Sequence, residues 1–138
     1  ADYDQVMEAP VTIALFTDTD LQKRARKIAR VGGVKNFTDE QLQYFMQNLP
    51  AEFARYDAQQ TSDYLALNAG LVAMNLVLAL TDQGIGTNII LGFDKSKINE
   101  VLDIEERFRP EVLITVGYAA EKVEPSYRLP VDEIIDKR

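Results

Sequence analysis

Three glycines punctuate the stretch LALTDQGIGTNIILGFDKS, residues 78–96: Gly84, Gly86 and Gly92. Glycines between a helix and a strand can cradle a phosphate on bare backbone N–H groups. The order of elements here argues against that chemistry. A dinucleotide fingerprint runs strand, G-x-G-x-x-G, helix, with the pyrophosphate at the helix N-terminus. This run reads helix, G-x-G, strand, and a helix C-terminus carries the negative end of the dipole. Gly84 reads as a left-handed helix C-cap and Gly86 as turn chemistry. Gly92 is different. It closes the β-type run 87–91 just before Asp94, which reads as a helix cap, so a ligand reaching the strand end would meet backbone rather than side chain.

The rest of the chemical inventory is defined by exclusion. The sequence has no His and no Cys, which removes the imidazole base, the thiol nucleophile, Cys/His zinc sites and disulfides. Neither a P-loop nor a G-x-S-x-G elbow occurs. The 22 acidic residues include adjacent pairs such as Glu105 and Glu106, but no spacing sets two of them across a cleft. No catalytic side chain and no metal ligand set is assigned.

A formal charge of -7 on 138 residues disfavours a nucleic-acid partner through long-range repulsion. The length suits one domain, residues 1–138, with a core of its own. The opening ADYDQVMEAP lacks a basic segment followed by an apolar one, so no signal peptide is expected. With the absence of Cys this gives a reducing, cytoplasmic expectation.

The elements that must position the glycine stretch follow from pattern. Residues 11–16 form an almost continuous apolar run behind Pro10, a buried strand. The cluster TDTD, residues 17–20, supplies turn and cap chemistry. LQKRARKIARVGG is a helix with Leu21, Ala25 and Ile28 inward and Gly32-Gly33 as its stop. Its Lys23, Arg24, Arg26, Lys27 and Arg30 form either a solvated basic face or an anion site. Residues 38–60 are helical in two pieces, capped by Thr38 with Gln41 in capping-box spacing and divided at Pro50. Phe37, Tyr44, Phe45, Phe53 and Tyr56 there serve packing or wall a ligand pocket. A helix capped at Ser62 or Asp63 follows, apolar nearly all round from Tyr64 to Leu80, so it is expected as a buried core helix. It is shorter than a membrane span needs and is interrupted by Asn68 and Asn75. Asp94 then caps a short helix with Ile98, Val101 and Leu102 inward. Residues 112–116 form a second buried strand, and the polar tail carries Ile134 and Ile135 as anchors for a neighbouring chain.

Taken in order, EAPVTIALFTD, the helix ending QGIGTN, then ILGFD, FRPEVLITVGY and YRLPVDEII resemble the FMN-dependent nitroreductase family over about residues 8–135. The resemblance implies an α+β, three-layer α/β/α sandwich, with a mixed sheet flanked by helices and a buried central helix. It implies FMN, NADH or NADPH as co-substrate, and two-electron transfer to nitroaromatic, quinone or flavin acceptors. It implies a homodimer formed through the central helix and the C-terminal tail. It carries Ile90, Leu91 and Gly92 over as the segment beside the isoalloxazine, and Arg128 in YRLP as a contact to the FMN phosphate. The family often has a second basic residue just before that arginine, where Ser126 or Tyr127 stands here. The family's Arg/Ser-containing opening segment is absent, so the chain resembles the last two thirds of such a protein and is expected to be incomplete at its N-terminus. The rival reading is a non-catalytic α/β binding or dimerisation module that holds no flavin.

Overall fold

The computed structural model describes residues 2–32, 37–121 and 125–136. The chain begins with α1 (Asp2–Glu8) and enters β1 (Val11–Asp18) directly after Pro10. The turn-forming acids beyond β1 then act locally. Asp18 Oδ1 accepts from the Asp20 N–H at 3.1 Å, and Asp20 Oδ1 accepts from the Lys23 N–H at 3.0 Å. This starts α2 (Leu21–Gly32), which buries Leu21 and Ala25. Gly33, the expected stop, lies outside the described residues.

Both later long helices open on capping boxes. Thr38 and Gln41 cap α3 (Asp39–Phe53) as the spacing predicts. Pro50 does not divide it: the ring sits in the last turn, where the helix ends by Ala54. There the ring costs one backbone hydrogen bond rather than a break in mid-helix. The division falls at residues 54–57, because Asp57 and Gln60 build a second box. That box starts α4 (Ala58–Asp82) earlier than the expected Ser62 or Asp63. At the far end Gly84 adopts φ +75°. Its N–H donates to the Thr81 carbonyl at 2.9 Å and the Ile85 N–H to the Leu80 carbonyl at 3.0 Å. These are the paired bonds of a Schellman cap, as the glycine suggested.

After the cap come β2 (Gly86–Ile90), a one-turn α5 (Ile98–Val101), β3 (Phe108–Gly117) and a short α6 (Val131–Ile134). The sheet has the order β1-β3-β2, and both pairings are antiparallel. The expected mixed sheet is therefore not formed by the described residues. Gly86 is not turn chemistry either. It pairs with Gly117, and an added Cβ would lie 3.1 Å from the Gly117 carbonyl oxygen. A Cβ on Gly117 would meet the Pro10 ring at 2.8 Å. The two glycines let strand ends and the entry proline approach closely.

The core lies where α4 crosses the sheet: Ala73 packs with Val112 and Ile114, flanked by Ile13, Leu15, Leu76, Val77 and Val116. The expectation of a helix enclosed on every side is corrected here. Leu65, Ala69 and Ala73 are buried, but Leu67, Leu71, Met74 and Leu78 are exposed. Their i, i+4, i+7, i+11 spacing makes them one continuous stripe on a face that turns away from the sheet. Likewise Val101 and Leu102 of the short-helix region are exposed rather than inward. Its expected cap, Asp94, instead holds the Ser96 hydroxyl at 2.6 Å and the Ser96 N–H at 3.0 Å, two residues before the helix.

Candidate functional site

The end of β2 is built by one irregularity in its neighbour. Leu15 pairs with Val112 but Phe16 pairs with Pro110, so Glu111 has no partner in β1 and forms a β-bulge. In a regular strand Arg109 and Glu111 would share the face of Leu113 and Thr115, away from α4. The extra residue reverses the parity before the bulge. Arg109 accordingly reaches α4, donating from Nη1 to Ser62 Oγ at 2.8 Å and from Nη2 to the Ser62 carbonyl at 3.1 Å.

Glu111, only 9% exposed, is held by this arrangement. Arg109 meets its Oε1 through both Nε and Nη2 at 2.7 Å, and the Thr17 hydroxyl donates to the same oxygen. A carboxylate so buried requires pairing of this kind. The triad pins β1, β3 and the first turns of α4 together at one end of the sheet.

At that end a groove of about 350 Å³ opens between α4 and β2. Ala66, Ala69, Gly70, Ala73 and Met74 line it on α4, and Ile89 and Leu91 form the opposite side. Glu111 and Lys95 supply its polar lining. The volume and the mostly apolar lining are those of a small-molecule slot. A groove beside it, lined by Ser62, Ser96, Lys95 and Arg109, continues across the triad.

The four residues singled out from sequence fall in different settings. Ile90 ends β2 opposite Leu113 and is 3% exposed, so its side chain is part of the core. Leu91 follows with 67% of its surface open and lines the groove. Gly92 is exposed just past the end of the ladder. Arg128 lies in the exposed tail, where Nη1 donates to the Tyr127 carbonyl at 2.9 Å. Among the described residues no carboxylate pairs with it, and no hydrogen bond joins it to the β2 end. Of the four, Leu91 alone lines the groove; Gly92 follows it in the chain, and Arg128 lies on a separate segment. Ile89, Lys95 and Glu111 were not singled out from sequence. Alternation about the buried Ile90 would have found Ile89, since residues 89 and 91 share a face.

Near the groove, Asp94 has its carboxyl held below the ordinary carboxylate value, chiefly by the Ser96 hydroxyl and then by the Ser96 N–H. A depressed value means that this Asp94–Ser96 turn is intact above the ordinary carboxylate range and is lost as pH falls through the lowered one. Among the described residues no cluster of acids could hold a metal ion.

Fold and site together define an α+β protein with a mostly apolar groove between α4 and β2. Its chain belongs to the Nitroreductase family, whose model matches residues 2–118. Spy0809 of Streptococcus pyogenes, which bears an NAD(P)H nitroreductase name, is 63% identical over 134 residues, or 97% of this chain and 66% of that protein. A crystal structure of a nitroreductase family protein from Streptococcus pneumoniae TIGR4 shares 83% identity. It matches with a TM-score of 0.93 over 99% of this chain and 68% of its own. A nitroreductase from Exiguobacterium sibiricum solved in complex with FMN is 27% identical, with a TM-score of 0.88 over 97% of this chain and 65% of its own. The chain thus spans about two thirds of the length of the relatives it matches.

Proposed function

We propose that this chain belongs to an FMN-dependent oxidoreductase that passes two electrons from NADH or NADPH to nitroaromatic, quinone or flavin acceptors. The observation that carries the reading is the slot between α4 and β2. Four small residues of its α4 side, Ala66, Ala69, Gly70 and Ala73, leave room for a planar ring beside Met74, and Ile89 and Leu91 stand at its strand side. FMN, known in complex with the Exiguobacterium relative, supplies hydride uptake and release when bound. The chain's part is to bind, orient and shield. Ile89 and Leu91 would cover a ring face and exclude water, and the backbone at residues 91 and 92 would approach its polar edge. The Arg128 guanidinium, without a carboxylate partner among the described residues, is the group that would meet a phosphate. The absence of His and Cys from the sequence is no obstacle to a reaction whose reactive atoms belong to a cofactor.

The same reading includes a homodimer. The exposed stripe Leu67, Leu71, Met74 and Leu78, with the exposed Leu129, Val131, Ile134 and Ile135 of the tail, offers the apolar surface that a second copy would cover.

The test is a visible absorption spectrum of the protein after equilibration with FMN. A retained flavin band that NADH or NADPH bleaches supports the proposal. A protein that takes up no FMN even when extended to the full length of its relatives sinks it and leaves a binding or dimerisation module.

A further inference from the structure

A second groove, of about 360 Å³, lies between α2 and α4 and shares no lining residue with the slot at Leu91. Helical spacing builds it. Leu21, Arg24 and Ile28 recur at i, i+3 and i+7, so one face of α2 lines it. Tyr64, Asn68 and Val72 recur at i, i+4 and i+8 and line it from α4. Phe16 near the end of β1, Phe108 at the start of β3 and Phe53 at the end of α3 complete it. The volume is within the range of small-molecule sites.

Four aromatic rings therefore border one space: Phe16, Phe53, Tyr64 and Phe108. Each is only half-buried. Phe53 and Tyr64 stand 5.1 Å apart between centroids. Rings left partly open around a groove offer a planar ligand stacking and edge contacts.

Charge adds a second requirement. Of the five cations of α2, Arg24 alone lines this groove. Among the described residues its guanidinium has no carboxylate within ion-pair distance, whereas those of Arg55, Arg107 and Arg109 each have one. The acid that lines the groove, Asp18, is already engaged. It lies 3.8 Å from Arg107 Nη2, and its Oδ1 accepts from the Asp20 N–H. Arg107 in turn sits over the Phe108 ring at 4.5 Å. Arg24 is thus the unpaired charge of an otherwise aromatic and neutralised lining. The net charge of -7 repels an anion at long range, but salt screens that repulsion beyond about 8 Å. Contact with the guanidinium then decides.

We propose that this groove binds a small aromatic carboxylate, with its ring among the four aromatic side chains and its carboxylate on the Arg24 guanidinium. A planar carboxylate matches the paired N–H donors of a guanidinium. The site is independent of the oxidoreductase reading, since it needs neither flavin nor electron donor.

The test uses the chain extended to the full length of its relatives, with FMN present, so that any further segment, second copy or cofactor is in place. The probes are 2-naphthoate, 2-naphthamide, which keeps the rings without the charge, and acetate, which keeps the charge without the rings. Calorimetry should show 2-naphthoate binding about tenfold or more tighter than 2-naphthamide, the worth of one charge-assisted contact, with acetate weakest. Backbone amide shifts should centre on residues 16–28 and 64–72. Arg24→Gln should bring 2-naphthoate to the level of 2-naphthamide, and Arg24→Lys should keep part of the difference. Ile28→Trp adds bulk at an exposed lining position and should weaken both aromatic probes. Equal affinity for 2-naphthoate and 2-naphthamide, or a preference unchanged in Arg24→Gln, would overturn the proposal. Acetate binding as tightly as 2-naphthoate would mean an adventitious anion only and would overturn it too. Shifts centred on residues 89–92 would place the ligand at the slot instead. No binding of either aromatic probe would mean that another segment or a second copy fills the groove, and the proposal would fall.

Discussion

Arg109 and Glu111 illustrate how one inserted residue makes a site. Their parity in β3 assigns them to the face away from α4, and the bulge at Glu111 turns them toward it. Hydrophobic alternation cannot reveal such a reversal, because the period is read from neighbours on both sides of the irregularity. That is why Glu111 was missed, whereas Leu91 came from the family resemblance and Gly92 from its place at the strand end. Arg109→Ala would leave the Glu111 carboxylate buried with only the Thr17 hydroxyl as donor. Loss of a partner from a fully buried pair costs about 3–5 kcal/mol. The Arg109 side chain is 30% exposed, so solvent screening brings the expected loss to about 2–3 kcal/mol. Urea unfolding should show a lower midpoint with an unchanged slope. Arg128→Ala belongs to the same scale with the opposite signature. Its guanidinium makes only a bond to the adjacent Tyr127 carbonyl, so the unfolding midpoint should not move. FMN affinity should fall roughly tenfold, the worth of one charge-assisted contact. Equal FMN affinity in the variant and the parent, measured by fluorescence titration, would remove Arg128 from the site.

Elements were legible wherever a local chemical signal set their boundaries. Thr38 with Gln41 and the C-cap at Gly84 are short-range devices, and both stand where their spacing puts them. The boundary between α3 and α4 was misread because Pro50 is a conspicuous signal and Asp57 a quiet one. A proline in the last turn loses little, whereas an Asp/Gln capping box satisfies two otherwise unpaired N–H groups. The Gly84 cap gives a clean test. No atom lies within 4 Å of an added Cβ there, but φ is +75°, so Gly84→Ala introduces backbone strain without a clash. The expected cost is about 1–2 kcal/mol, visible as a reduced thermal midpoint. An asparagine, which tolerates the left-handed region better, should recover part of it. If Gly84→Ala were neutral, the Schellman geometry at the end of α4 would not contribute to stability.

At the scale of the whole molecule, composition gives α4 two apolar faces, and a single chain uses only one of them. A sequence that is apolar all round says that both faces are to be covered, but not by which chain. The reading of a helix enclosed within its own domain failed for that reason. The stripe Leu67, Leu71, Met74 and Leu78 is exposed although each member is a large hydrophobe. It lies on a helix otherwise fixed to the sheet by Ala73, Leu76 and Val77. Leu71→Glu places a charge in the middle of that stripe and touches none of these core residues. If a second copy covers the stripe, the buried charge has no partner there and dimer affinity should fall at least about 100-fold, or roughly 2.7 kcal/mol. Sedimentation velocity across a concentration series would show the shift from dimer to monomer. Far-ultraviolet circular dichroism should remain that of the parent, since the substitution is on the outer face of the helix. A variant with the parent's oligomeric state at every concentration would show that the stripe is not the contact between copies, and the homodimer would have to use another face.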